Sequence, residues 1–307
     1  MNKLLLTSFL IIPLLSLSQT SIQEFENIPY YSADHEHNSE LTQVNVLAPS
    51  NARKAPVLMW IGGGAWAYVN RHQEMNLCRR FAEEGIVVVS VGHRLSPALL
   101  GEKKRHEGIK HPEHVKDLAA SFKWVKENAS RYGGDPENIF IGGFSSGAHL
   151  SALIAVDKRY LEEQGFELSA IKGILPVGGG YDIPDYKKAM FIEDPTLIEN
   201  HINVVFGETH EEHLDASPLS YIDEFPVPML MLSESYTHPF TKVYEEALIE
   251  KGHTNFQVLH CIDHDHASLW KALSNDQDCE ERDYMINFIK KESAASTAPP
   301  PPPTTDN

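Results

Sequence analysis

The chain has 307 residues, enough for one large domain or at most two and for a substantial buried core. Apolar residues make up 42% and charged residues 22%, the balance of an ordinary globular protein, which excludes a disordered body. With 26 Lys and Arg against 43 Asp and Glu the formal charge is −17, which argues against nucleic acid and anionic membranes as partners.

The first eighteen residues carry a single charge, Lys3, followed by a largely apolar run from Leu4 to Leu17. That run is short for a membrane span, and Ser16 and Ser18 supply the small residues a signal peptidase needs. Residues 1–18 therefore read as a signal peptide, implying export to the periplasm or the extracellular space. No Cys follows the run to carry a lipid, so no stable membrane anchor is expected. Residues 19–40 read as an N-terminal segment ahead of the domain, with the first strand near Leu41.

From residue 41 to residue 291 strand-like and helix-like stretches alternate, the pattern of an α/β fold: a mostly parallel sheet with helices on both faces. Apolar runs at 56–61, 86–91, 139–141, 171–177, 227–232 and 256–261 lack the alternation of a half-exposed strand, as buried parallel strands do. The clearest helix spans 112–131, where Val115, Leu118, Ala119, Phe122 and Val125 form one apolar stripe and Tyr132-Gly133-Gly134 ends it. The stretch 178–226 is too short for a large lid, which predicts an open pocket. Residues 292–307 contain five consecutive prolines and no apolar residue larger than Ala or Pro, and read as a disordered tail. Three cysteines are too few for a disulfide framework; Cys78 reads as a core residue, and Cys261 with Cys279 is the candidate pair.

The chemistry concentrates in three places. After the apolar run 139–141 comes Gly142-Gly143-Phe144-Ser145-Ser146-Gly147, a G-x-S-x-G in which a strand must turn so sharply into a helix that the serine is strained and its flanking residues have no room for a side chain. Upstream, Trp60-Ile61-Gly62-Gly63-Gly64-Ala65-Trp66 follows a strand and lets backbone amides face a substrate carbonyl, so Gly63 and Gly64, joined by Ser146, are assigned to an oxyanion hole. Trp66 and Tyr181 are candidate pocket walls, although aromatic residues at loop starts more often serve packing. After the last strand, Cys261-Ile262-Asp263-His264-Asp265-His266-Ala267-Ser268-Leu269 supplies two histidines.

The glycine loop, VVSVGHRLSP from Val88 to Pro97, the helix HPEHVKDLAASFKWVKENASRYGGDPENIFIGG and the elbow GFSSGAHL resemble the carboxylesterase and hormone-sensitive-lipase-like branch of the α/β hydrolases, including feruloyl-esterase-like and arylformamidase-like enzymes. The resemblance spans roughly residues 41 to 291. It implies the α/β-hydrolase fold and ester hydrolysis by a Ser, acid, His triad with Ser145 as nucleophile, without a cofactor. It also implies His266 as the base, because a small or hydroxyl residue and an apolar helix follow it; His264 is the reserve. A metal at these histidines, or at His35 and His37 or His210 and His213, has no supporting H-E-x-x-H or Cys pair.

The chain departs from the family pattern twice. Ile61 stands where the family has a His before its three glycines, which predicts altered loop packing. Ser235 stands where the family's acid is expected; Glu234, adjacent, is the choice, with Asp263, Asp223 and Asp265 as rivals. The resulting expectation is an exported serine esterase for short-chain or polysaccharide-linked esters. An amidase of arylformamidase type and a non-catalytic binding protein of the same fold are the alternatives.

Overall fold

The computed structural model describes residues 21–97, 105–225 and 227–295, so the expected signal peptide lies outside the described residues. Eight strands among the described residues, β1 (Ile22–Pro29), β2 (Gln43–Pro49), β3 (Ala55–Ile61), β4 (Val87–Val91), β5 (Gly134–Phe144), β6 (Gly173–Val177), β7 (Met229–Glu234) and β8 (Phe256–Cys261), form one sheet in the order β1-β2-β4-β3-β5-β6-β7-β8. Only the pairings β1 with β2 and β2 with β4 are antiparallel. The helices are α1 (Met75–Glu83), α2 (Glu113–Asn128), α3 (Ser146–Val156), α4 (Arg159–Glu162), α5 (Ile183–Glu193), α6 (Asn203–Phe206), α7 (His210–Asp215), α8 (His238–Glu250), α9 (His266–Asn275) and α10 (Glu280–Ala295).

The central strands have no polar face because both of their faces are covered. In β3, Val57, Met59 and Ile61 point into one apolar layer with Val115, Leu118 and Phe122 of α2 and with Tyr244 and Leu248 of α8. Leu58 and Trp60 alternate to the other side, where α1, α9 and α10 supply Phe81, Leu273 and Ile289. All five residues of the predicted stripe on α2 are buried, and Gly133, at φ 81, terminates the short 3-10 turn that follows that helix.

Two expectations about the ends need correction. Residues 19–40 are not merely a segment ahead of the domain, since they supply β1, an antiparallel edge strand; its largely exposed IQEFENIP carries no apolar run that would betray it in the sequence. At the other end α10 continues through 292–295, within the stretch read as tail, and Ser293 Oγ donates to the Ile289 carbonyl at 2.7 Å; residues 296–307 lie outside the described part. Cys78, Cys261 and Cys279 are all buried and all free, so the candidate disulfide is absent.

Register places the functional segments along one edge. Trp60 and Ile61 pair with Gly142 and Gly143, Phe144 pairs with Val177, and Glu234 pairs with Cys261. The C-terminal ends of β3, β5, β6, β7 and β8 therefore release the glycine loop, Ser145, Gly178, the Glu234 turn and the histidine loop side by side, where open α/β sheets bind ligands.

Candidate active site

Ser145 lies between β5 and α3 at φ 56 and ψ −116, a strained conformation for a residue with a side chain, costing about 1–3 kcal/mol. Its amide donates to the Val177 carbonyl at 2.8 Å, which pins the turn to β6. The elbow also needs glycine beside it: a Cβ on Gly147 would come within 2.1 Å of the Ile61 carbonyl oxygen, and one on Gly143 within 2.4 Å of the Gly147 oxygen. Ser146 opens α3, so its amide belongs to the first turn and has no acceptor within the helix.

The glycine loop closes against this elbow. A Cβ on Gly63 would lie 3.1 Å from Ser145 Cβ, so the Gly63 backbone is the immediate neighbour of the serine. Gly64, at φ 143, turns the loop, and its carbonyl accepts from the amides of Ala67 and Tyr68 at 2.9 and 2.7 Å. Ile61, in the position where a His was expected, is fully buried in the apolar layer. The loop is instead tied down through Trp66, whose indole donates to His149 Nδ1 at 3.2 Å while His149 Nε2 donates to the Ala216 carbonyl at 2.7 Å. Burial lowers the His149 pKa to about 3, so this ring is neutral and serves as a relay of hydrogen bonds between α3 and the loop.

On the other side, Glu234 ends β7 and His266 begins α9. His266 Nδ1 and Glu234 Oε1 are 2.9 Å apart, and the carboxylate also accepts from Thr237 Oγ1 at 2.7 Å, the Thr237 amide at 3.2 Å and the Tyr236 amide at 2.6 Å. Burial pushes the Glu234 pKa up, but the bonds from His266, Thr237 and Tyr236 outweigh it and leave the carboxyl below its ordinary range. The structure thus pairs the expected residues. The rivals are engaged elsewhere: His264 faces Glu281 at 3.4 Å, Asp223 pairs with Lys251, Asp265 caps α9 by accepting from the Ser268 amide at 2.7 Å, and Asp263 is exposed. Ser235 is exposed too, so the carboxylate has moved one residue along the chain rather than vanished.

Ser145, Ser146, Gly178 and His266 line one cavity of about 50 Å³, walled by Trp66, Tyr186, Tyr236 and Phe240. The cavity is small, with α5 from the 178–226 stretch contributing Tyr186 to its wall and the start of α8 contributing Phe240. Sequence reasoning missed these two aromatic residues and Tyr236. Tyr236 follows Glu234 by two residues, which was the one available signal. Tyr186 is set by a bond to His201 Nε2 at 3.1 Å, and Tyr236 by a bond from its hydroxyl to Glu193 at 3.0 Å. Tyr181, a candidate wall, is fully buried and stacks on Tyr244 at 4.7 Å, away from the cavity. Among the described residues no group of three or more His, Cys, Asp or Glu is placed to hold a metal ion.

A strained serine and an imidazole held by a buried carboxylate share one cavity, which Ser146 and Ala65 line while Gly63 and Gly64 do not; a serine beside a carboxylate-bound imidazole is the core from which acyl transfer is built. The BD-FAE family profile matches residues 44–236, more than half of the chain. Esterase LipQ of Mycobacterium tuberculosis is 32% identical over 210 residues, covering 67% of this chain and 47% of LipQ; the probable carboxylic ester hydrolase LipM of the same organism is 34% identical over 58% of this chain and 40% of LipM. The chain thus spans less than half the length of these relatives. Among solved structures, an inhibited Esterase B from Lactobacillus rhamnosis has a TM-score of 0.70 at 16% identity, covering 90% of this chain and 88% of its own. A truncated carbohydrate esterase from gut microbiota has a TM-score of 0.69 at 18% identity, covering 91% and 99%. The architecture is the α/β-hydrolase fold, and the chain belongs to the BD-FAE family.

Proposed function

We propose that the protein is a serine hydrolase of carboxylic esters with small acyl groups, exported by the apolar leader at residues 1–18. The observation that carries the reading is the shared cavity: Ser145, strained at the elbow, and His266, tied to buried Glu234 at 2.9 Å. In this reading Ser145 Oγ attacks the ester carbonyl, His266 takes its proton and returns it to the leaving alcohol, and Glu234 stabilises the imidazolium between those steps. The amides of Gly63, Gly64 and Ser146 receive the charge that develops on the carbonyl oxygen. Water then releases the acid by the same steps in reverse order.

The cavity size supports the small acyl group. A cavity of about 50 Å³ walled by Tyr186, Tyr236 and Phe240 favours an acetyl-sized group over a long chain. The alcohol lies outside so small a space, which leaves a polymer-borne ester, such as an acylated polysaccharide, compatible with the reading.

The test is labelling of the full chain by a fluorophosphonate probe, with Ser145→Ala as control. We expect stoichiometric labelling of wild type and none of the variant, with p-nitrophenyl acetate cleaved faster than the decanoate. Residual hydrolysis in Ser145→Ala above about one per cent would assign the nucleophile elsewhere. An N-formyl substrate cleaved in preference to any ester would turn the reading to an amidase.

A further inference from the structure

Behind the cavity lies a buried carboxyl that the reaction as drawn does not use. Glu74, one residue before α1, is 3% exposed, and no cation among the described residues pairs with it. Its Oε2 accepts from two indoles, Trp60 Nε1 at 2.8 Å and Trp270 Nε1 at 3.3 Å. Trp60 is the penultimate residue of β3, two residues before Gly62, and Trp270 lies four residues after His266 on α9, one turn along the same face. The rest of the side chain occupies the place of a side chain on Gly62: a Cβ there would come within 2.8 Å of Glu74 Oε1 and 2.9 Å of its Cγ.

We infer that Glu74 is a positioning residue that ties the oxyanion loop and the base-bearing helix to a single buried carboxyl oxygen, fixing the distance between the amides at Gly63 and Gly64 and the imidazole of His266. The inference rests on the serine-hydrolase reading of the site. Its physical basis is that Trp60 and Trp270, 210 positions apart in the chain, donate to the same buried oxygen, which joins β3 to α9 through directional bonds. Burial raises the Glu74 pKa, and the two indole bonds only partly oppose it. It touches no reacting atom. Its loss therefore lowers kcat through misalignment and leaves KM near its value, because substrate binding does not depend on the loop-to-base distance.

The test compares Trp270→Phe, Glu74→Gln and Glu74→Leu in the full chain, reading kcat, KM and the indole N–H resonances of Trp60 and Trp270. Trp270→Phe deletes one donor while keeping the ring packed, and should lower kcat about threefold to tenfold at unchanged KM and shift the Trp60 indole resonance through the shared oxygen. Glu74→Gln keeps an acceptor and should retain most of kcat. Glu74→Leu should lose about tenfold or more. Wild-type kcat in Trp270→Phe, an unmoved Trp60 resonance, or a Gln variant no better than a folded Leu variant overturns the tether. Should the Leu variant not fold, the Phe and Gln variants decide. A wild-type chain that neither hydrolyses esters nor takes the probe overturns the hydrolase reading instead, and the Trp60 resonance then still tests the tether without activity.

Discussion

Glu234 and Glu74 are closed off from water to nearly the same degree, at 0% and 3% exposure, and sit at the same edge of the sheet; their carboxyls are nevertheless pushed in opposite directions. Desolvation favours the neutral acid in both. Around Glu234 four donors converge: the Tyr236 and Thr237 amides of the turn that follows β7, the Thr237 hydroxyl and the His266 imidazole. Glu74 has two indole donors on one oxygen, and its other oxygen packs against Gly62. The lesson is that a lack of exposed surface does not by itself set the direction in which a carboxyl shifts. The donors around it oppose desolvation to different degrees: four donors hold the Glu234 carboxyl below its ordinary range, whereas two indoles only partly offset burial at Glu74.

The sharpest way to break this contrast is Glu234→Gln. Gln accepts from the amides but cannot stabilise an imidazolium, so kcat for p-nitrophenyl acetate should fall about a hundredfold or more. A variant that keeps near-wild-type kcat would move the acid elsewhere. Thr237→Val is gentler, because it removes one donor and conserves shape. Glu234 should then ionise less readily, with kcat down severalfold and stability down by about 1–2 kcal/mol in a denaturant titration. An unchanged kcat and stability would mean that the hydroxyl bond contributes nothing.

The two glutamates should also give opposite trends of stability with pH. Glu234 has a folded pKa below its ordinary 4.5, so its contribution is complete above that value and is lost as pH falls through the folded pKa. Glu74 has a folded pKa above 4.5, so its contribution is complete below that value and is lost as pH rises through the folded pKa. Thermal unfolding of Glu74→Gln and wild type should accordingly diverge in favour of the variant as pH is raised from about 5 to about 8, whereas Glu234→Gln should lose ground to wild type as pH climbs towards 4.5. Parallel curves in both cases would show that donor number is not what separates them.

The elbow around Ser145 was legible in the sequence because its constraints are local. The strained turn at Ser145 and the close approach of Gly147 to Ile61 demand particular residues at fixed spacing, and those leave a motif. The sheet was legible for a similar reason, since strands covered on both faces must be apolar throughout, and the exposed edge strand β1, free of that demand, went unseen. The acid side was ambiguous because Glu234 meets His266 across 32 positions of chain, and nothing in the spacing distinguishes it from Asp263. Tyr186, Phe240 and Glu74 were invisible because their roles come from where α5, α8 and the approach to α1 settle in space, and each is an ordinary residue for its helix or turn.

The smallest effects are expected at Asp263 and Ser235, neither of which is bonded to His266. Asp263 is exposed on the histidine loop, with no bond to His266, and Ser235 is exposed just beyond the strand end that carries Glu234. An exposed carboxylate near the site interacts with His266 through water, where a unit charge several ångströms away is worth at most about 1 kcal/mol and is screened further by salt. Asp263→Asn should therefore change kcat by less than about threefold, with the small effect shrinking as salt is raised. Ser235→Asp restores the residue expected at that position, yet the imidazole Nδ1 is already bonded to Glu234 at 2.9 Å, so no gain in kcat is expected. In a Glu234→Ala background the outcome separates two explanations of the shift along the chain. Partial recovery by Ser235→Asp would mean that either position can reach the base once the other is empty. No recovery would mean that the turn made by Tyr236 and Thr237 around the Glu234 carboxylate, and not proximity to His266, fixes where the acid must stand.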